Sequence, residues 1–342
     1  MSTKRFASLM QGKNSISSGN TMQEYTVEEW YLCWIRNFKE STVKRGTIDS
    51  YNCMFNFYIK PFLGSIKLKM LNAAEIQSFY NELAKNDYSK STITLINALL
   101  TNLFRYAYRM GLVEKNPMEM VILPRARQKQ ERRVLSRKEQ NLLLSYLKGK
   151  DIEMLVTVAL ATGMRIGELT GLTWNNVDFV KNEIHVIEIL KRERGGDFYK
   201  DSPKTTKSRR VIPMLPQISQ KLKQLKQHQD SCRLLGLLPY ERQDLGKLVF
   251  IRENGAPYSD SYLCRQLKRV SEEIQSAGIP FEPITPHCLR HTFATRALEN
   301  GISAKVVQEL LGHSTITLTL DLYTHVMQDT KTTEIQKMAD LF

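Results

Sequence analysis

The chain has 342 residues, enough for about two domains that each bury a core. Lysine and arginine outnumber aspartate and glutamate 49 to 35, a formal net charge of +14 that favours a polyanionic partner, nucleic acid first. No apolar run approaches the ~18 residues of a membrane span, the N-terminus lacks a signal peptide's apolar stretch, and five scattered cysteines without a C-x-x-C pair point to a reduced cytoplasmic protein.

Residues 1–24 are rich in Ser, Asn and Lys without apolar periodicity and read as a loose tail. From Thr26 the pattern turns helical, and residues 25–123 read as a small all-helical domain of four amphipathic helices. Trp30, Trp34, Ile35 and Phe38 mark one face, and Ile48, Tyr51, Phe55, Tyr58 and Ile59 a second that Pro61 and Gly64 should break. Ile76, Phe79, Tyr80 and Leu83 mark a third, and Ile96, Leu99, Leu100, Leu103, Phe104 and Ala107 a fourth that runs to Gly111. Basic residues punctuate these helices, among them Lys39, Lys44, Arg45, Lys90, Arg105 and Arg109, as either a DNA-facing surface or solvated faces. Residues 124–133 hold Arg125, Arg127, Lys129, Arg132 and Arg133 against one acid, an extended basic linker suited to lying along a phosphate backbone.

Ser136 and Glu139 form a capping box that opens the second domain, residues 134–326. In A-T-G-M-R-I-G-E-L, Gly163 should end one helix and Arg165 stand at the start of the next. Glu168 lies one turn on, as either a carboxylate that holds the guanidinium or a plain surface i, i+3 pair. Residues 184–189 and 210–214 are rich in β-branched side chains and flank a polar loop, 191–209, which predicts a β-hairpin or edge sheet. That loop carries Lys204, Lys207 and Arg209, a basic run where a nucleic-acid groove can pass. Helices should follow over 217–235 and 259–277.

The densest chemistry lies at 283–326. Thr285 and Pro286 are an N-cap and N1 pair and Gly301 is a stop, so a helix is predicted over 286–300. His287 and Arg290 then share one face near a helix N-terminus, a geometry that suits phosphate. Ser303 should cap a short helix ended by Gly312, His313 follows, and Ser314 should cap a further short helix that carries Tyr323. Taken singly, these residues are also ordinary capping histidines and a core aromatic. A zinc reading of His287 and His291 at i, i+4 fails because Cys288 stands where a metalloprotease has Glu. A helix-turn-helix over 302–323 that reads DNA bases stays open.

Arg165, Lys204, His287, Arg290, His313 and Tyr323 occur in that order, within T-G-M-R-I-G-E-L, P-K-T, H-C-L-R-H-T, L-G-H-S and D-L-Y-T-H. In this the chain resembles the tyrosine recombinases of the phage-integrase type, from about Thr26 to its end. The resemblance implies a mainly α fold with a small β-sheet or hairpin: a helical core-binding domain plus an α+β catalytic domain, clamped on DNA. It implies attack of Tyr323 on a phosphodiester to give a 3′-phosphotyrosine and a free 5′-hydroxyl, without ATP, metal or cofactor. Arg165, Arg290 and His313 would donate to the non-bridging oxygens, Lys204 would protonate the leaving 5′-oxygen, and His287 would serve as general base or hold the phosphate. Family members with an arm-type DNA-binding domain carry it ahead of the core-binding domain. The roughly 25 residues here are too few for one, so the expectation is a simpler two-domain recombinase or a truncated chain.

Two other functions compete: a helix-turn-helix regulator without chemistry, and an enzyme resembling type IB topoisomerases that needs no partner site. The expected partners are double-stranded DNA recombination sites and further copies of the chain, four on paired sites, with an accessory DNA-bending or directionality factor as a further candidate and no membrane. Integration and excision of a mobile element in a bacterial or phage nucleoid fit this reading. Residues 327–342 carry Ile335, Met338, Ala339 and Phe342 at helical spacing, a stripe too short to stand alone and expected to dock on a neighbouring subunit.

Overall fold

Capping chemistry sets the helix starts in the computed structural model, which describes residues 24–125, 133–193, 196–202, 208–317 and 319–320. The chain divides into two compact units between residues 131 and 132. In the first unit, helix α1 (Val27–Trp34) begins at a capping box in which the Thr26 hydroxyl accepts from Glu29 N–H and the Glu29 carboxylate accepts from Thr26 N–H. Helix α2 (Arg45–Met54) follows, and α3 (Ala73–Lys85) starts at a second box made by Asn72 and Glu75. The Ser89 hydroxyl caps α4 (Lys90–Arg109).

The faces expected from periodicity are the faces that pack. Trp30, Trp34, Phe55, Ile59, Ile76, Phe79, Tyr80, Leu83, Ile96, Leu99, Leu100, Leu103, Phe104 and Ala107 form one core. The Trp30 indole N–H donates to Leu103 O at 3.1 Å, and the Tyr31 and Phe55 rings stack at 3.8 Å. One boundary differs from the sequence reading: α2 does not stop at Pro61. A π-helical turn, Phe55–Ile59, carries it into a further helical segment, Lys60–Leu63, with Lys60 N–H bonded to Phe55 O. The wide turn puts Pro61, which has no N–H to give, at the seam between two helical segments, where a proline is tolerated. A similar π turn, Ile35–Lys39, extends α1 and brings the Lys39 ammonium over the Trp34 and Tyr106 rings.

In the second unit Ser136 and Glu139 form the expected box at the start of α5 (Arg137–Leu147), and α6 (Glu153–Thr162) and the short α7 (Ile166–Thr170) follow. Strands β1 (Val177–Asp178), β2 (Glu183–Val186) and β5 (Arg210–Pro213) make an antiparallel sheet in the order β1-β2-β5, with Ile184 opposite Ile212. The pairing expected between the two β-branched stretches is present, but the segment between them is not all loop. Strands β3 (Ile189–Arg192) and β4 (Phe198–Asp201) form a second hairpin there. Its polar residues pair across it: Lys191 Nζ lies 2.6 Å from Asp201 Oδ2, and Lys200 Nζ 2.7 Å from Glu188 Oε2. Its apolar side, Leu190 and Phe198, packs on Leu245, Leu248 and Ile251. The Lys191–Asp201 pair lies on one face, while Lys200, opposite Leu190, and Glu188 flank the apolar face, and together these contacts stabilise a strand pair whose composition reads as loop.

Helices α8 (Pro216–Leu234), α9 (Asp260–Ser276), α10 (Pro286–Glu299) and α11 (Ala304–Leu311) complete the unit. Leu143, Leu147, Leu155, Val158, Ile184, Ile212, Leu263, Leu267 and Leu289 belong to one core, so α10 is held against the helices on either side. The fold is the expected one, mostly helical with small antiparallel sheets. Among the described residues no helix is long and apolar enough to cross a membrane.

Leu103 is fully buried beneath Trp30. Leu103→Ala should destabilise the first unit by about 2–5 kcal/mol, the scale of a buried leucine truncation with its cavity. Urea unfolding followed by tryptophan fluorescence, with two of the three tryptophans in that unit's core, would reveal it as a lower midpoint.

Candidate active site

The site is built around the last turn of α11. That helix is short and amphipathic, and it lays Val307 and Leu311 on Phe293, Ala294, Ala297 and Leu298 of α10. Gly312, in the left-handed conformation at φ 63°, ends it. Helix ends leave carbonyls without partners and carry the negative end of the backbone dipole, so they attract cations. Three arginines answer here. Arg210 Nε donates to Leu310 O at 2.5 Å, Arg290 Nη2 to Leu311 O at 2.7 Å, and Arg165 Nη2 to Gly312 O at 3.1 Å.

Each arginine comes from a different element. Arg165 stands at the N-cap of α7, immediately after the turn in which Gly163 (φ 63°) ends α6. An added Cβ at Gly163 would lie 2.3 Å from Phe293 Cδ1, so packing and backbone both require glycine. Arg290 leaves the second turn of α10 and is 5% exposed; its Nη1 donates to Gly163 O at 2.8 Å, which ties the two helix ends together. Arg210 opens β5.

Glu168 neutralises part of this charge. It is 2% exposed, and each carboxylate oxygen takes two N–H donors. Oε1 accepts from Arg165 Nη1 at 2.9 Å and Arg210 Nη1 at 3.1 Å; Oε2 accepts from Arg165 N at 2.8 Å and Arg210 Nη2 at 2.8 Å. Burial alone would raise the Glu168 carboxyl, but the bonds and charge of Arg210, then those of Arg165, outweigh it and hold the group below the usual carboxylate range. Arg290 is pushed the other way. Burial first, then the Arg165 charge, bring its guanidinium down to about 9, against the opposing pull of Glu168, and it remains a cation at neutral pH.

Among the described residues two of the five N–H donors of Arg290 are spent on carbonyls, and the Arg165 side chain keeps 37% of its surface. Both guanidiniums reach the one oxygen of Leu311, Arg165 Nη1 at 3.4 Å and Arg290 Nη2 at 2.7 Å, so their remaining donors start from neighbouring points. Such a pair offers fixed, planar forks to an anion with several oxygens.

His313 follows Gly312 and is half-buried, with its Nδ1 2.9 Å from the Thr319 hydroxyl and its carbonyl bonded by Gln308 Nε2. Thr319 is itself fully buried. When that hydroxyl donates to Nδ1, the neutral ring carries its proton on Nε2 and becomes a donor there. His287 sits in the first turn of α10, exposed, with its ring 6.5 Å from that of His291. Asp260, at the start of α9, is its electrostatic neighbour: burial raises that carboxyl and the His287 charge opposes the rise. Thr285 occupies the N-cap position but its side chain makes no capping bond, so position and fixed φ, rather than a hydroxyl, start α10.

The structure thus brings Arg165, Glu168, Arg290 and His313 to one helix end, with His287 one turn ahead of Arg290 on α10. Tyr323, Lys204, Arg127, Lys129, Arg132 and Lys207 lie outside the described residues, as do the tail segments 1–23 and 321–342. Of the other basic residues, Lys44, Arg45, Lys90, Arg105, Arg125 and Arg209 are exposed. Arg133 is drawn inward: Nη2 donates to Glu139 Oε1 at 2.7 Å and Nη1 to Pro283 O at 3.1 Å, with the guanidinium over the Phe281 ring. Among the described residues no group of three or more His, Cys, Asp or Glu side chains is placed to hold a metal ion. Sequence reasoning passed over Arg210 and Thr319. Strand alternation carries a signal for the first: with Val211 exposed and Ile212 buried, Arg210 shares the inward side.

Residues 124–329 match the model of the phage integrase family, and residues 26–84 match the phage integrase N-terminal SAM-like domain. A tyrosine recombinase XerC-like protein of Caldanaerobacter subterraneus subsp. tengcongensis is 31% identical over 96% of this chain and 87% of its own. The transposase from transposon Tn916 of Enterococcus faecalis is 24% identical over 89% of this chain and 75% of its own. The Tn1549 transposon integrase, solved in complex with a circular intermediate DNA, superposes with a TM-score of 0.79 at 25% identity, over 92% of this chain and 99% of that one. With matches across both units, the chain belongs to the phage integrase family and is a site-specific tyrosine recombinase, an enzyme that cuts and rejoins DNA.

Proposed function

We propose that Arg165, Arg290 and His313 hold the scissile phosphate while Tyr323 attacks it. The observation that carries this reading is the convergence of the two guanidiniums on Leu311 O, with His313 two residues further along the same helix end. The Tyr323 oxygen forms a bond to phosphorus, the bond to the 5′-oxygen breaks, and a 3′-phosphotyrosine and free 5′-hydroxyl result. Lys204 gives the leaving 5′-oxygen its proton, and His287 either takes the tyrosine proton or steadies a phosphate oxygen. The 5′-hydroxyl of a partner strand then attacks the phosphotyrosine and releases Tyr323. One ester bond replaces another at each step, so the reaction needs no ATP. The forks of Arg165 and Arg290 meet the charge that builds on the non-bridging oxygens, as an oxyanion hole does.

The substrates on this reading are paired double-stranded DNA sites at the ends of a mobile element. The likeness to the Tn916 transposase and to the DNA-bound Tn1549 integrase supports that choice. Two duplexes exchanged strand by strand present four scissile phosphates, which calls for four subunits in a closed ring. The 327–342 segment, with Ile335, Met338 and Phe342 on one stripe, is the candidate to join neighbours. Lys44, Arg45, Lys90, Arg105, Arg125 and Arg209 are candidate contacts to the phosphate backbone, and the work is done in the nucleoid of a bacterial cytoplasm. An accessory DNA-bending or directionality factor fits the same scheme.

Tyr323→Phe should bind a nicked site with near-unchanged affinity and form no covalent adduct, because it deletes only the attacking oxygen. A denaturing gel reads this directly, and an adduct in that variant would move the nucleophile elsewhere. Arg165→Ala and Arg290→Ala should each slow adduct formation by on the order of 10²-fold or more, the scale of a lost preorganised donor. Losses below about tenfold would leave that arginine a weaker role than phosphate binding. Neutralising Arg125, Arg127, Lys129 and Arg132 together should flatten the plot of log affinity against log salt, since each phosphate contact releases a counterion. An unchanged slope, measured by fluorescence anisotropy, would free the linker from the backbone.

A further inference from the structure

We propose that Arg210 is a positioning residue for strand cleavage: it clasps Glu168 and the last turn of α11, and so fixes both the Arg165 guanidinium and the backbone that carries His313. This rests on the reading above, in which Arg165, Arg290 and His313 hold the phosphate.

The geometry points to Arg210 from two directions. Toward α7, its two terminal nitrogens meet both oxygens of Glu168, at 3.1 and 2.8 Å, and those same oxygens hold the Arg165 side chain and backbone N–H. Toward α11, its Nε donates to Leu310 O at 2.5 Å, one residue before the carbonyl that Arg165 and Arg290 share. Its Nη1 also donates to Ser208 O at 3.1 Å, closing the turn that leads into β5. One planar guanidinium therefore bonds three separate pieces of chain: the carboxylate of α7, the carboxyl end of α11 and the entry to β5.

Arg210 does this from beneath the surface. Its side chain is 6% exposed, against 37% for Arg165, and four of its five N–H donors are already committed to Glu168, Leu310 and Ser208. It is therefore poorly placed to touch a substrate and well placed to hold groups that do. The shape of the contact also selects arginine. A lysine ammonium is a single point charge and cannot span a bidentate carboxylate and a carbonyl in another direction at once. Among the described residues, without the Nε bond the end of α11 loses one of its three cationic partners, and without the fork Glu168 keeps only Arg165.

A residue that merely stabilises the fold would lower melting temperature and DNA affinity along with cleavage. A positioning residue would leave binding in place and slow the chemical step. The test uses full-length Arg210→Lys, Arg210→Met, Glu168→Gln and the double variant Arg210→Met/Glu168→Gln, with single-turnover adduct formation on a nicked site at saturating protein. The double variant is included because removing one member of a buried ion pair strands the other charge, whereas removing both does not.

Arg210→Lys should bind the nicked site within about twofold of the native protein and form adduct on the order of 10–10²-fold more slowly, the cost of a misplacement of about an ångström. The double variant should be no slower than Glu168→Gln alone, because the two residues act as one unit. Native-rate cleavage by Arg210→Lys, additive losses in the double variant, or a loss matched by affinity and melting temperature would each overturn the inference. Arg165→Ala, run alongside, separates it from the reading on which it rests. Near-native cleavage there would remove the phosphate-binding floor itself, while an inactive Arg165→Ala beside a fully active Arg210→Lys would remove only Arg210.

Discussion

Everything in the candidate site depends on how three buried or half-buried guanidiniums are tolerated at one place. Among the described residues Glu168 is the one buried carboxylate on them, so these residues hold more positive than negative charge. The remainder is met by dipoles: three successive carbonyls at the end of α11 and the Gly163 carbonyl at the end of α6. Carbonyl dipoles stabilise a cation but do not cancel its charge, and burial first, then the neighbouring arginines, still depress Arg290. A bound phosphodiester would supply the missing negative charge, and more of it as charge builds in the transition state. The surplus is thus a form of preorganisation: the cost of gathering the cations is met during folding rather than at the moment of reaction.

Much of the helical fold was legible because its signals are local and redundant. Apolar spacing marks the faces that became the first unit's core, and the Ser136 box with Glu139 starts α5 where expected. What escaped was decided by partners distant in sequence or by geometry with no compositional mark. The π turn at Phe55–Ile59 leaves Pro61 looking like a stop. The β3–β4 hairpin looks like loop because its charges pair with each other, Lys191 with Asp201 and Lys200 with Glu188, rather than with solvent.

The site divides along the same line. Arg165 and Glu168 are one helical turn apart, so their pairing is a spacing that can be read, though not the burial that makes it strong. His287 and Arg290 share a face, yet one is exposed and the other 5% exposed. Spacing gives a common direction along α10; the depth at which each residue sits depends on α6 and α11 packing above it, and no local pattern carries that. Arg210 illustrates the limit best. It lies 42 residues from Glu168 and 100 from Leu310, so its partners appear only when β5 closes against them.

Because α11 both receives the arginines and leads into His313 and Thr319, phosphate binding and the approach to the proposed nucleophile share one support. The His313 ring is held by Thr319, four residues before Tyr323, so a shift in that segment would be felt at Nδ1 and passed to the ring's other nitrogen. Conversely, an anion that draws Arg165 or Arg290 would loosen or tighten their bonds to Leu311 and Gly312, and with them the helix end from which the segment departs. Linkage requires the effect to run both ways: a neighbour that favours one placement of the tyrosine segment must also favour one grip on the phosphate. In the proposed ring of subunits, were they joined through their C-terminal segments, that reciprocity would let assembly on paired sites decide which active sites are set to cut.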